Sequence, residues 1–124
     1  MKRVTFVRGQ IRRDKFFFPC LVNQQRVKNV VLDTGAFDFV LSDSIAGQLR
    51  LVREKAVVVR GVSGSARAWT SHCNLTVGKE KFVNVPCIIM QDLPFEALFG
   101  LRFFVDHGYQ LLLDPKTATL SFLR

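Results

Sequence analysis

Val30-Val31-Leu32-Asp33-Thr34-Gly35-Ala36 is the stretch on which the reading of this chain turns. Three apolar residues, two of them β-branched, lead into a carboxylate, a hydroxyl and a glycine, the pattern of a buried strand that ends in a tight turn. Such a strand carries one carboxylate into partly desolvated surroundings, where an isolated carboxylate resists ionisation. The arrangement is costly and invites a catalytic explanation. Far downstream, Leu98-Phe99-Gly100 answers it at the head of a segment with helical potential.

Around this stretch the chain reads as mainly β, a series of short strands. Lys2 to Arg8 and Lys15 to Val22 are extended, Asn23-Gln24-Gln25 turns, Arg26 to Leu32 enters the Asp33 loop, and Phe39 to Leu41 leaves it. Ser42 caps a short helix over Asp43 to Leu49, with Ile45, Ala46 and Leu49 on one face. Lys55 to Arg60 is a strand, Gly61-Val62-Ser63-Gly64-Ser65 a hairpin tip, and Ala66 to Val77 and Lys81 to Met90 are strands about a Gly78-Lys79 turn. Asp92 to Glu96 reads as loop and Leu101 to His107 as a second short helix stopped by Gly108. Tyr109 to Leu113 and Thr117 to Leu123 form a closing hairpin. With 124 residues, 48% of them hydrophobic and twelve of them Phe, the chain suits a single domain with its own core.

Composition narrows the function classes. Cys20, Cys73 and Cys87 are odd in number and lack paired ligand spacing, so they are expected as buried core residues in a reducing compartment. Arg8, Arg12, Arg13, Asp14 and Lys15 interrupt any secretory apolar segment, and no stretch is long and apolar enough to span a bilayer. A cytoplasmic protein without a membrane partner is the expectation. The formal charge is +8, and residues 1 to 15 hold six basic side chains against Asp14 alone. Their spacing among Val4, Phe6, Val7 and Ile11 suits a strand with one solvated face better than a nucleic-acid site, so nucleic acid is not expected as a partner. His72 beside Cys73 and Asp106 beside His107 lack a third ligand at recognisable spacing, so no metal and no cofactor are expected.

Asp33-Thr34-Gly35-Ala36 with Leu98-Phe99-Gly100 resembles the retropepsin-like aspartic proteases, single-domain relatives of the pepsins, over about residues 16 to 124. The resemblance implies a closed β-barrel of the acid-protease type with one or two short helices and a β-hairpin flap, a single domain over 1–124 that includes the basic strand segment 1–15 at its start. It implies Asp33 as the catalytic residue, with Thr34, Gly35 and Ala36 supporting the active-site loop and Leu98, Phe99 and Gly100 crossing behind it. It also implies a flap over about Val58 to Trp69 whose tip, Gly61, Val62, Ser63, Gly64 and Ser65, meets the substrate.

Hydrolysis by this route needs two carboxylates, one to activate water and a protonated one to polarise the scissile carbonyl. Asp14, Asp38, Asp43, Asp92, Asp106 and Asp114 all lack the signature context. A homodimer would supply the second Asp33, and the pair would share a proton, the behaviour for which aspartic proteases are the standard illustration. The expected activity is that of an aspartic endopeptidase acting on extended peptide or protein substrates under acid to mildly acid conditions. One departure stands out: many viral relatives pair an acidic residue directly after the signature Ala with an Arg directly after the downstream Gly. Here those places hold Phe37 and Leu101. The alternative readings are a catalytically silent dimerisation or peptide-binding module of the same fold, and a basic nucleic-acid-binding β domain.

Overall fold

The computed structural model describes residues 1–61 and 64–124. Eleven strands and two helices follow in the order β1 (Arg3–Arg8), β2 (Gln10–Arg12), β3 (Lys15–Val22), β4 (Gln25–Leu32), β5 (Phe39–Ser42), α1 (Asp43–Gln48), β6 (Lys55–Gly61), β7 (Gly64–Val77), β8 (Glu80–Met90), β9 (Ala97–Phe99), α2 (Arg102–His107), β10 (Gln110–Asp114) and β11 (Thr119–Leu123).

Six of the strands pair in a ring. β3 runs antiparallel to β4, β4 parallel to β9, β9 antiparallel to β5, β5 parallel to β8, and β8 antiparallel to β7. β7 then returns to β3 through Leu21–Thr76 and Val22–Leu75. The ring exists because each strand has a face to bury: along β3, Phe16, Phe18, Cys20 and Val22 point inward at the two-residue period of a strand. Phe99 of β9 stands at its centre, with its ring 5.6 Å from Phe18, 5.5 Å from Phe39 and 5.0 Å from Phe103. Eight of the twelve phenylalanines are buried in this way, so the Phe-rich composition builds core.

A smaller sheet, β1-β11-β10, joins the two ends of the chain. Its β1 side is covered, because Thr5 Oγ1 donates to the Val77 carbonyl at 3.2 Å and accepts from the Lys79 amide at 2.9 Å. β10 lies at the other edge and pairs with β11 alone among the described residues. Among the described residues no helix is long and apolar enough to cross a membrane.

Two elements differ from the sequence reading. Leu98 and Phe99 belong to a three-residue strand, not to the head of a helix; α2 begins only at Arg102. Three residues are too few to display a period, and it is the pairing with β4 and β5 on both sides that makes this segment extended. Gln10–Arg12 forms its own strand against β3, separated from β1 by Gly9, where a Cβ would lie 2.0 Å from the Phe17 carbonyl oxygen. The α1 cap agrees with expectation: Ser42 Oγ accepts from the Ile45 amide at 3.1 Å. Gly108 closes α2 in the left-handed conformation, with φ of 66°.

Candidate active site

Asp33 emerges at the end of β4, where its amide donates to the Phe99 carbonyl at 3.0 Å, continuing the β4–β9 ladder by one residue. The chain then turns sharply. Asp33 Oδ1 accepts from the Gly35 amide at 3.0 Å and the Asp33 carbonyl accepts from the Ala36 amide at 3.1 Å. These bonds fix the carboxylate in a partly buried position while Thr34 and Gly35 remain exposed. Gly35 allows the carboxylate to fold over the turn, since a Cβ there would lie 3.3 Å from Asp33 Oδ1.

The downstream motif holds the loop from behind. Leu101 N donates to the Ala36 carbonyl at 3.1 Å, and Arg102 N to the Phe37 carbonyl at 2.7 Å. Gly100 is needed for this approach: a Cβ would lie 2.5 Å from the carbonyl oxygens of both Phe37 and Asp38. Leu98 and Phe99 pair with Val31 and Leu32 on one side and with Val40 and Phe39 on the other. The structure therefore brings Asp33, Thr34, Gly35 and Ala36 together with Leu98, Phe99 and Gly100 in one backbone-bonded unit.

Sequence reading missed one part of this unit. Asp38 Oδ1 and Arg102 Nη1 form an ion pair at 3.1 Å, and Arg102 also reaches Asp106 Oδ2 at 3.4 Å. The charge-assisted bond to Asp38 raises the Arg102 pKa. Phe37 and Leu101 hold no charge, but the residue after each does. The signal was an acid and an Arg each displaced by one position in the same direction.

The remaining candidates lie elsewhere. β6 and β7 form the expected hairpin, and beyond Arg67, whose carbonyl accepts from the Gln91 amide at 3.0 Å just past the end of β8, residues 64–66 pair only with β6 among the described residues. Gly61 pairs with Gly64, while Val62 and Ser63 of the expected tip lie outside the described residues. His72 Nδ1 is 2.9 Å from Glu54 Oε2 on the barrel exterior. Among the described residues no group of three or more His, Cys, Asp or Glu is placed to hold a metal.

A barrel of short strands, with one carboxylate delivered into a glycine turn and braced from behind by an apolar-apolar-Gly segment, defines the single-domain aspartic-protease class. Residues 18–106 match the family described as "gag-polyprotein putative aspartyl protease", and the chain belongs to that family. No curated protein matches it in sequence. Among solved structures it is similar to a retropepsin-like aspartic protease from Rickettsia conorii, with 21% identity, 99% of each chain covered and a TM-score of 0.70. It is also similar to the EIAV protease in complex with the inhibitor HBY-793, with 22% identity, 80% of this chain and 93% of that one covered, and a TM-score of 0.65. The retroviral protease-like domain of Ddi1 from Leishmania major aligns at 18% identity over 100% of this chain and 97% of that one, with a TM-score of 0.62. These structures share the fold.

Proposed function

We propose that the chain is an aspartic endopeptidase whose active site forms between two copies. The observation that carries this reading is the state of the carboxylates in the signature loop. Asp38 is committed to Arg102, whereas the Asp33 carboxylate accepts one backbone bond, from the Gly35 amide, and pairs with no cation among the described residues. One such carboxylate is half of the required chemistry, and a two-fold axis beside the loop would supply the other half. One Asp33, ionised, would take a proton from a water molecule as that water attacks the scissile carbonyl carbon. The other, protonated, would donate to the carbonyl oxygen. Collapse of the tetrahedral intermediate would break the C–N bond as a proton passes to the leaving nitrogen.

The edge of β10 supports a second copy as the partner. Edge strands in monomers are usually blunted by Lys or Pro, but Gln-Leu-Leu-Leu-Asp carries neither, and Leu112 is 55% exposed. Antiparallel pairing of two such edges about Leu112 would set Gln110 of one copy opposite Asp114 of the other. The projecting β6–β7 hairpin is the candidate flap, closing over an extended peptide, with Gly64 and Ser65 near its tip. Three free, buried thiols fit a reducing compartment such as the cytoplasm.

The test is cleavage of a diverse peptide library by the wild type and by Asp33→Asn from acid to neutral pH, with the dimer fraction recorded at the same concentrations. Cleavage lost in the variant supports the protease. A dimeric wild type that cleaves nothing would point to a peptide-binding module of the same fold.

A further inference from the structure

The outer face of β1 to β4 gathers cations that lie far apart in the sequence. Arg8, Arg12, Arg26 and Lys28 line two adjoining hollows of about 430 and 250 Å³, which share Arg8, Pro19 and Arg26 and so form one groove. All four cations are exposed, and none forms a salt bridge with an acidic side chain among the described residues. No Asp or Glu lines either hollow.

Aromatic rings lie among them. Phe6, half-buried, is flanked by the guanidinium of Arg3 at 4.3 Å and that of Arg8 at 5.9 Å from its ring centre. Arg12 stands 4.0 Å over the Phe17 ring and is steadied by donating to Asn29 Oδ1 at 2.8 Å. Residues 1 to 15 alone read as one solvated strand face. Folding adds Arg26 and Lys28 from the outer side of β4 and turns that face into a groove.

We infer that this groove binds single-stranded nucleic acid. Cations free of acidic partners along a groove track a phosphate backbone, and guanidinium planes held over half-buried rings offer stacking surfaces to unpaired bases. A duplex hides its base faces, and a membrane surface would be met better by protruding rings than by recessed ones. Arg26 stands seven residues before Asp33 on β4, roughly 23 Å at about 3.3 Å per residue, so the groove is separate from the Asp33 loop.

The experiment is fluorescence anisotropy of a labelled 12-nucleotide oligo-dT, with a duplex of equal length and phosphatidylserine vesicles as comparators. Four phosphate contacts predict a log–log salt slope of about −3 for a single strand, a loss of roughly 50-fold in affinity between 50 and 200 mM salt. The double variant Arg26→Ser, Lys28→Ser should halve that slope and weaken binding at least about tenfold at low salt, while Arg26→Lys with Lys28→Arg keeps it. Both positions are exposed, and thermal unfolding checks that the variants fold; Arg12→Ser is a further single-site test. Absence of saturable oligo-dT binding at 50 mM salt would overturn the inference. So would binding unchanged in the double variant, equal affinity for the duplex, or preference for the vesicles.

Discussion

Arg102 Nη1 lies 3.1 Å from Asp38 Oδ1, tying the first turn of α2 to the segment that leaves the Asp33 loop. The pair works with two backbone bonds, Leu101 N to Ala36 O and Arg102 N to Phe37 O, so that main chain and side chains clasp the same turn. Its net contribution to stability is modest, because the two side chains are 39% and 30% exposed. Pairs of that exposure contribute at most about 1 kcal/mol. Its larger effect falls on position.

A double-mutant cycle of Arg102→Leu and Asp38→Asn should therefore give a coupling of about 0.5–1 kcal/mol in urea unfolding. Peptide cleavage in either single variant should fall about tenfold to a hundredfold through kcat, since misplacing a catalytic group by about 1 Å costs that much. Full activity in both variants would show that the backbone bonds hold the loop unaided.

Gly100→Ala should destabilise far more than an exposed glycine would on replacement. Its Cβ would sit 2.5 Å from two backbone carbonyl oxygens, which unlike a flexible side chain have nowhere to go. A loss on the order of 1–3 kcal/mol is expected in urea unfolding, from overpacking alone. Gly47→Ala is the control, with open space around its Cβ position, and should be neutral or stabilising.

The thiols should be inert in the folded protein. Burial pushes Cys20 up to about 12, and Cys73 is raised by the adjoining Cys87 thiol together with burial. A raised thiol pKa means a smaller thiolate fraction at pH 8, and thiolate is the reacting species. Ellman's reagent should find almost no fast-reacting thiol in native protein and three in denaturant. A rapid native reaction of one equivalent would contradict this placement.

Leu112→Glu tests the β10 edge. Two like charges facing each other across a two-fold axis should shift the dimer to monomer and remove cleavage, with little change in monomer stability because Leu112 is exposed. Sedimentation at matched concentration measures the shift. A variant that stays dimeric and active would move the interface to another surface.

Part of the barrel was legible because β3 alternates buried residues with more exposed ones and the turns after it and before β8 carry Asn23 and Gly78; β3, the Ser42 cap and the Gly108 stop stand where the residues placed them. Asp33 to Ala36 was legible as a loop because a β-branched run ends in Asp-Thr-Gly. β9 was not, since a strand of three residues between two neighbours is defined by its partners. The Asp38–Arg102 pair and the groove over β1 to β4 escaped for the same kind of reason. Each joins residues from separate elements, 64 positions apart in the first case, and only the strand order brings them together.

The shared dyad is tested most directly by mixing wild type with Asp33→Asn, after dissociation and reassociation, at constant total chain concentration. If each site takes one Asp33 from each chain, activity follows the square of the wild-type fraction, and an equal mixture retains about a quarter of the activity. A linear fall, with about half retained, would mean that each chain catalyses alone.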